Sequence, residues 1–265
     1  MVPPIAEMLA AVDRSPEAAG AHDRDGWIGL FGADGRVEDP VGSRPHVGRA
    51  QIERFYDTFI GPRDITFHRG ADVVSGHTVV RDVILQVRMS PSVTMRIPAY
   101  LRYDLDDSLE IVRLQAFWEL PAMVWQFART GAGAVPAGLR LCRALLRNQR
   151  LAGTWGFLAG FRGAASRGKS HLGRLLDDAC AGDQVAVRRR LGDAARLTRG
   201  DDGRIGTSEL VGLLRGARWD GMVRAGSVAV ARLRRDGRQL VLFADLETRP
   251  TRIRAVRVFA DDQWT

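Results

Sequence analysis

One order of segments occurs twice in this chain, and it leaves few folds open. Residues 48–56, Gly-Arg-Ala-Gln-Ile-Glu-Arg-Phe-Tyr, open on glycine and space Ile52, Phe55 and Tyr56 at i, i+3 and i+4, one face of a helix. Residues 206–214, Gly-Thr-Ser-Glu-Leu-Val-Gly-Leu-Leu, repeat the pattern with Leu210, Leu213 and Leu214. Helical periodicity precedes both. It covers residues 5–31, through Ile5, Met8, Leu9 and Val12 and then Trp27, Ile28, Leu30 and Phe31, with a break expected at Ser15-Pro16. Before the second copy it covers residues 172–191. Strand patterns follow both: Asp64–Phe67, His77–Met89, Thr94–Tyr103 and Ile111–Trp118, then Gly226–Arg234, Gln239–Leu246 and Arg252–Phe259. The closing pair matches too, since Tyr103-Asp104-Leu105 with Ile111–Phe117 parallels Ala244-Asp245-Leu246 with Ile253–Phe259. Helices first and an antiparallel meander after is an α+β order, and its repetition indicates two diverged copies of one domain.

The chain of 265 residues is long enough for two such domains, about 1–120 and 171–265. Between them, 121–170 reads as a basic, apolar, helical connector. From Glu119 to Asp177 there is no acid, while Arg129, Arg140, Arg143, Arg147, Arg150, Arg162, Arg167, Lys169 and Arg174 fall inside. The net charge of +8 therefore belongs to one segment. Arg140, Arg143, Arg147 and Arg150 share a narrow helical arc opposite Leu141, Leu145 and Leu146, so two placements of 139–161 stay open: docking on the two domains with its arginines in water, or resting on an anionic membrane surface. No nucleic-acid readout module accompanies the arginines, and nucleic acid is not an expected partner. Cys142 and Cys180 stand isolated, no secretory leader pattern opens the sequence, and no apolar run nears the roughly 18 residues that span a bilayer. The expected location is cytoplasmic, with a peripheral position at a membrane as the second option left open by 139–161.

Chemistry is concentrated in residues 37–49, Val-Glu-Asp-Pro-Val-Gly-Ser-Arg-Pro-His-Val-Gly-Arg. Proline donates no backbone hydrogen bond and restricts its predecessor, so Asp39 falls where regular pairing stops. This run, with the helix pair before it and the Gly48-Arg49 helix start after it, resembles the ketosteroid isomerases of the SnoaL-like, nuclear-transport-factor-2-like superfamily. The resemblance implies cone-shaped, cystatin-like domains, each a curved antiparallel sheet wrapped on helices. It also implies a hydrophobic small-molecule partner of steroid or polyketide type and a base at Asp39 that shifts a double bond by proton transfer. That base-plus-oxyanion-hole chemistry is a worked case of carboxylate tuning. Pairing of the two domains, or a homodimer, is a further expectation.

This sequence departs from the family where the family's oxyanion donors stand. A tyrosine on the first helix is replaced by Ser15, and an aspartic acid on a strand by Ala99, in Pro98-Ala99-Tyr100. Tyr56, Tyr100 and the indole of Trp118 are the candidate replacements. Phe31, Phe55, Val41, His68 and Trp118 are the candidate substrate-binding residues. The histidines show no ligand spacing, and no phosphate loop or nucleophile elbow is present, so neither metal nor cofactor is expected. The second copy carries no acid where Asp39 would fall, at Leu197 to Arg199, and reads as structural. Two functions remain open at this point: an isomerase working through Asp39, and a non-catalytic binding protein for a steroid- or lipid-like ligand in the same cavity.

Overall fold

The computed structural model describes residues 2–90, 93–119, 166–191, 194–248 and 251–261. The chain divides into two compact units, one of Met1–Asp72 with His77–Arg162 and one of Gly163–Thr265 with Val73–Gly76. Residues 120–165, on which the expected helical connector, its arginine stripe and the expected membrane contact at 139–161 fall, lie outside the described residues.

In the first unit the order is α1 (Ile5–Gly20), α2 (Arg24–Ile28), β1 (Phe31–Glu38), β2 (His46–Val47) and α3 (Arg49–Phe55), whose last turn widens into a π-helical turn, Tyr56–Ile60. Four strands follow: β3 (Asp64–Ser75), β4 (Thr78–Ser90), β5 (Val93–Leu105) and β6 (Ile111–Phe117). They form one sheet in the order β2-β1-β6-β5-β4-β3. β1 lies parallel to β6, while β1–β2, β4–β5 and β5–β6 are antiparallel.

The expected break at Pro16 does not occur, and α1 runs through it. An interior proline forfeits a helix hydrogen bond, but here packing outweighs that loss. Met8, Ala11, Val12, Ser15 and Ala19 form a continuous buried face. Arg81 of β4 anchors the same helix, its Nη2 donating to Asp13 at 2.5 Å and its Nε to Asp72 at 2.7 Å. Phe31, expected at the end of a helical run, instead begins β1 beyond Gly29. β3 continues well past Phe67. It is an edge strand whose residues 68–70 are exposed, so no inside–outside alternation marks it in the sequence.

The second unit contains α4 (Ser166–Ala181), α5 (Gln184–Leu191), β7 (Arg196–Arg199), β8 (Gly203–Arg204), α6 (Thr207–Leu214), β9 (Arg218–Ala225), β10 (Val228–Arg235), β11 (Arg238–Thr248) and β12 (Thr251–Ala260). Its sheet order, β8-β7-β12-β11-β10-β9, is that of the first unit element for element, down to one parallel pair, β7 with β12. Fine details recur as well. A bulge falls at Asp104/Leu105 in one unit and at Asp245/Leu246 in the other. At the first helix junction, His22 and Gly182 both take positive φ. The next residues, Asp23 and Asp183, each accept from the backbone N–H three positions on, at 2.9 Å. Such shared irregularities fix the residue correspondence between the copies. Asp183→Ala, which removes that cap, is expected to destabilise the second unit by about 1 kcal/mol, seen as a lowered midpoint for one of two thermal transitions.

Candidate functional site

Asp39 is positioned by its neighbours on both sides. Glu38, the last residue of β1, accepts from Gln115 Nε2 at 2.9 Å and from the Gly42 N–H at 3.2 Å, which ties the following loop to the sheet. The Val41 N–H donates to the Ala116 carbonyl at 2.9 Å, extending the pairing with β6 past the proline. Upstream, β1 bulges between Phe31 and Arg36. A Cβ on Gly35 would come within 2.8 Å of the Phe31 side chain, so the bulge requires glycine there. Gly48, at φ +75°, then turns the chain into α3.

The Asp39 carboxylate lines a cavity of about 140 Å³ enclosed by α1, α3 and the sheet. Its walls are apolar except at six side chains that carry polar atoms: Ser15, Trp27, Asp39, Arg63, Tyr103 and Trp118. Trp118 Nε1 donates to Asp39 Oδ1 at 2.5 Å. Burial disfavours the charged carboxylate and the indole N–H favours it; burial prevails, and the Asp39 pKa is pushed up to about 6. Followed by carbon-13 NMR, the carboxylate is therefore expected to titrate near pH 6 in the wild type and at higher pH in Trp118→Phe, which removes the opposing donor. A wild-type midpoint near the ordinary aspartate value of 3.8 would contradict a desolvated base.

Several expected site residues are placed elsewhere. Tyr100 is buried on the opposite side of β5, because strand neighbours alternate and Met95, Ile97, Leu101 and Tyr103 are the residues that face the cavity. His68 is exposed and meets Gln86 at 3.2 Å, while its neighbour Phe67 lines the cavity. Phe31 packs on the Trp27 ring at 4.8 Å, and Val41 is buried within the loop after β1; neither lines the cavity. Tyr56 packs on Trp27 at 5.6 Å, and its buried hydroxyl has no partner among the described residues and does not line the cavity. Phe55 and Trp118 do line it. The Trp118 N–H, however, is engaged by Asp39 rather than open to a ligand.

Tyr103 is the group that sequence reasoning missed. Its ring is buried and its hydroxyl lies 3.5 Å from Ser15 Oγ, both residues lining the cavity. The separation is long for an O–H···O bond, which leaves the hydroxyl weakly committed. Burial raises its pKa, so it is a neutral donor at physiological pH. Strand parity carried the signal, because Tyr103 shares the face of Ala99, four residues on. Among the described residues no cluster of His, Cys, Asp and Glu could hold a metal ion.

The second unit has lost this site group by group. The shared bulge equates Tyr103 with Ala244, Leu114 with Val256 and Trp118 with Ala260. The parallel pairs Val37–Leu114 and Leu197–Val256 then make Arg199 the counterpart of Asp39. The helix junction equates Ser15 with Leu175. Leu175, Ala244, Val256 and Ala260 belong to a close-packed apolar core.

Residues 7–124 match the profile of the Nuclear transport factor 2 (NTF2) domain. A curated relative, the steroid Delta-isomerase of Nocardioides simplex, is 29% identical over 119 residues, which is 45% of this chain and 95% of the relative. Among solved structures, a Delta 5-3-ketosteroid isomerase from Mycobacterium sp. is 28% identical, covering 44% of this chain and 95% of its own, with a TM-score of 0.41. The Mycobacterium tuberculosis protein RV0760c, solved with estradiol-17beta-hemisuccinate, is 23% identical, covering 43% and 95%, with a TM-score of 0.41. The first unit is thus an NTF2-like domain. Within that superfamily its similarity is to the steroid Delta-isomerase of Nocardioides simplex.

Proposed function

We propose that the first unit moves a double bond within a steroid or related polycyclic ketone, with Asp39 as the proton shuttle. The observation that supports this reading best is a carboxylate with a pKa near 6 in an apolar cavity that also contains the Tyr103 and Ser15 hydroxyls. The carboxylate takes the proton alpha to the ketone. The C–H electron pair forms a new C=C bond, and the carbonyl oxygen becomes an enolate oxygen. Protonated Asp39 then delivers the proton to the far carbon of the dienolate, so the step is redox-neutral and consumes no co-reactant. A base of pKa near 6 is mostly ionised at pH 7, yet basic enough to share a proton in the transition state.

The enolate needs preorganised donors, which the low dielectric of the cavity strengthens. Ser15 occupies the helix position at which the resembled enzymes carry a tyrosine, and Tyr103 brings a phenol to that place from the sheet. The similarity to a curated steroid Delta-isomerase points to the same substrate class. A volume of about 140 Å³ is below the usual range for drug-sized ligands. A polycycle would enter by displacing Met89 and Met95, unbranched side chains that re-pack readily.

The test is conversion of a β,γ-unsaturated 3-ketosteroid to its conjugated isomer, followed by enone absorbance. A second reading, a binding protein that holds such a ligand without reaction, draws on the apolar walls and on the absence of Tyr56 and Tyr100 from the cavity. Tight steroid binding with no conversion would establish it in place of the first.

A further inference from the structure

We propose that Arg63 receives a carboxylate carried by the ligand, so that the natural ligand is an amphipathic polycyclic acid rather than a wholly neutral one. This rests on the reading of the cavity as a ligand site. Arg63 stands between the π-helical turn and β3, is half-buried, and lines the same cavity as Asp39. Its Nη1 spends both hydrogens on backbone carbonyls, those of Thr58 and Phe59, each at 2.7 Å. Among the described residues no carboxylate pairs with it. Burial alone acts on its pKa, bringing it down to about 10, so it is still a cation at neutral pH.

Anchoring Nη1 fixes the plane of the guanidinium and leaves Nε–H and Nη2–H, a parallel pair of donors, with no partner among the described residues. That edge has the geometry a carboxylate accepts bidentately. A cation facing apolar walls is poorly solvated, and a ligand carboxylate would offset that cost. Arg63 precedes β3 and Asp39 follows β1, strands separated in the sheet by β4, β5 and β6. Neither charge acts on the other's pKa. The two polar groups are therefore distinct anchor points. A ligand spanning them would present its ketone end to Asp39 and its acidic end to Arg63.

The experiment compares a 3-ketosteroid bearing a side-chain carboxylic acid with its methyl ester, each titrated calorimetrically into the full chain at pH 7.5. The acid is expected to bind at least about tenfold more tightly than the ester, the scale of a charged hydrogen-bonded pair. Arg63→Gln is expected to abolish that preference, the acid and the ester then binding within about twofold of each other whatever the change in overall affinity. Arg63→Lys is expected to keep part of it, because it retains the charge and loses the fork. Equal binding of acid and ester by the wild type would overturn the proposal without any variant, so misfolding of Arg63→Gln cannot rescue it. Failure here is separable from failure of the isomerase reading. A neutral ketosteroid that isomerises without an acid preference removes only the Arg63 assignment. An acid preference without isomerisation removes only the catalysis. Binding of neither ligand would overturn both.

Discussion

Asp39→Asn is expected to lower isomerisation by about a hundredfold to ten-thousandfold, the usual weight of a general base, and at pH 8 to make the first unit more stable than the wild type. The two effects have one origin. The Asp39 pKa is about 6 in the folded chain against an ordinary 3.8, so the folded state binds this proton more tightly than the unfolded state does. Between those values the folded state carries more protons, and stability falls as pH rises. Below 3.8 both states are protonated and no penalty exists; above 6 it is complete. A shift of about two units corresponds to roughly 3 kcal/mol at most, an upper bound because Asp39 keeps some exposure. Asparagine preserves the shape and can still accept from Trp118, but it carries no charge to desolvate. Calorimetric scans of wild type and variant should therefore coincide near pH 3.5 and separate at pH 8, with one of two transitions moved upward. Unchanged turnover would remove Asp39 from the chemistry, and coincident scans at both pH values would show that its burial carries no penalty.

What was legible in the sequence follows from which constraints are local. Residues 37–49 are shaped largely by short-range rules: a proline interrupts the strand, a glycine at positive φ opens a helix, and a glutamate clamps the loop between them. Asp39 was therefore found at the end of β1, as expected. The duplication was legible because both copies keep their buried helix faces and their Asp-Leu bulge. The edge strands were not. The sequence pattern marks only the first third of β3 and none of β9, since each has many exposed residues and little alternation. Side-chain direction was the harder matter. A shift of one position reverses the face of every residue on a strand, and it separates Tyr100 from Tyr103 and His68 from Phe67. No local signal announced that the Trp118 indole would turn to Asp39, because that contact joins residues 79 positions apart.

Tyr103→Phe is expected to lower kcat by about a hundredfold to a thousandfold with little change in KM, the result of deleting a donor that acts mainly on the enolate. The variant keeps the ring and its packing, and it forfeits a hydrogen bond to Ser15 that is 3.5 Å long. Stability should therefore change by less than about 1 kcal/mol. A phenolic steroid, whose ring oxygen imitates the enolate, should lose affinity by a factor comparable to the loss in kcat, while a neutral ketone should not. Ser15→Ala separates donor from support. If Tyr103 gives the proton of the hydrogen bond, removing Ser15 frees its hydroxyl and leaves turnover within about tenfold of wild type. If Ser15→Ala is the more damaging change, Ser15 is the donor and Tyr103 positions it. Tyr103→Phe turning over within about threefold of wild type would exclude the phenol from charge stabilisation, because even one ordinary oxyanion donor is worth far more. Burial raises the Tyr103 pKa, so the phenol stays protonated well into alkaline solution. The rate in the wild type should accordingly rise through pH 6 with Asp39 and then hold level, without the falling limb that an ionising donor would impose.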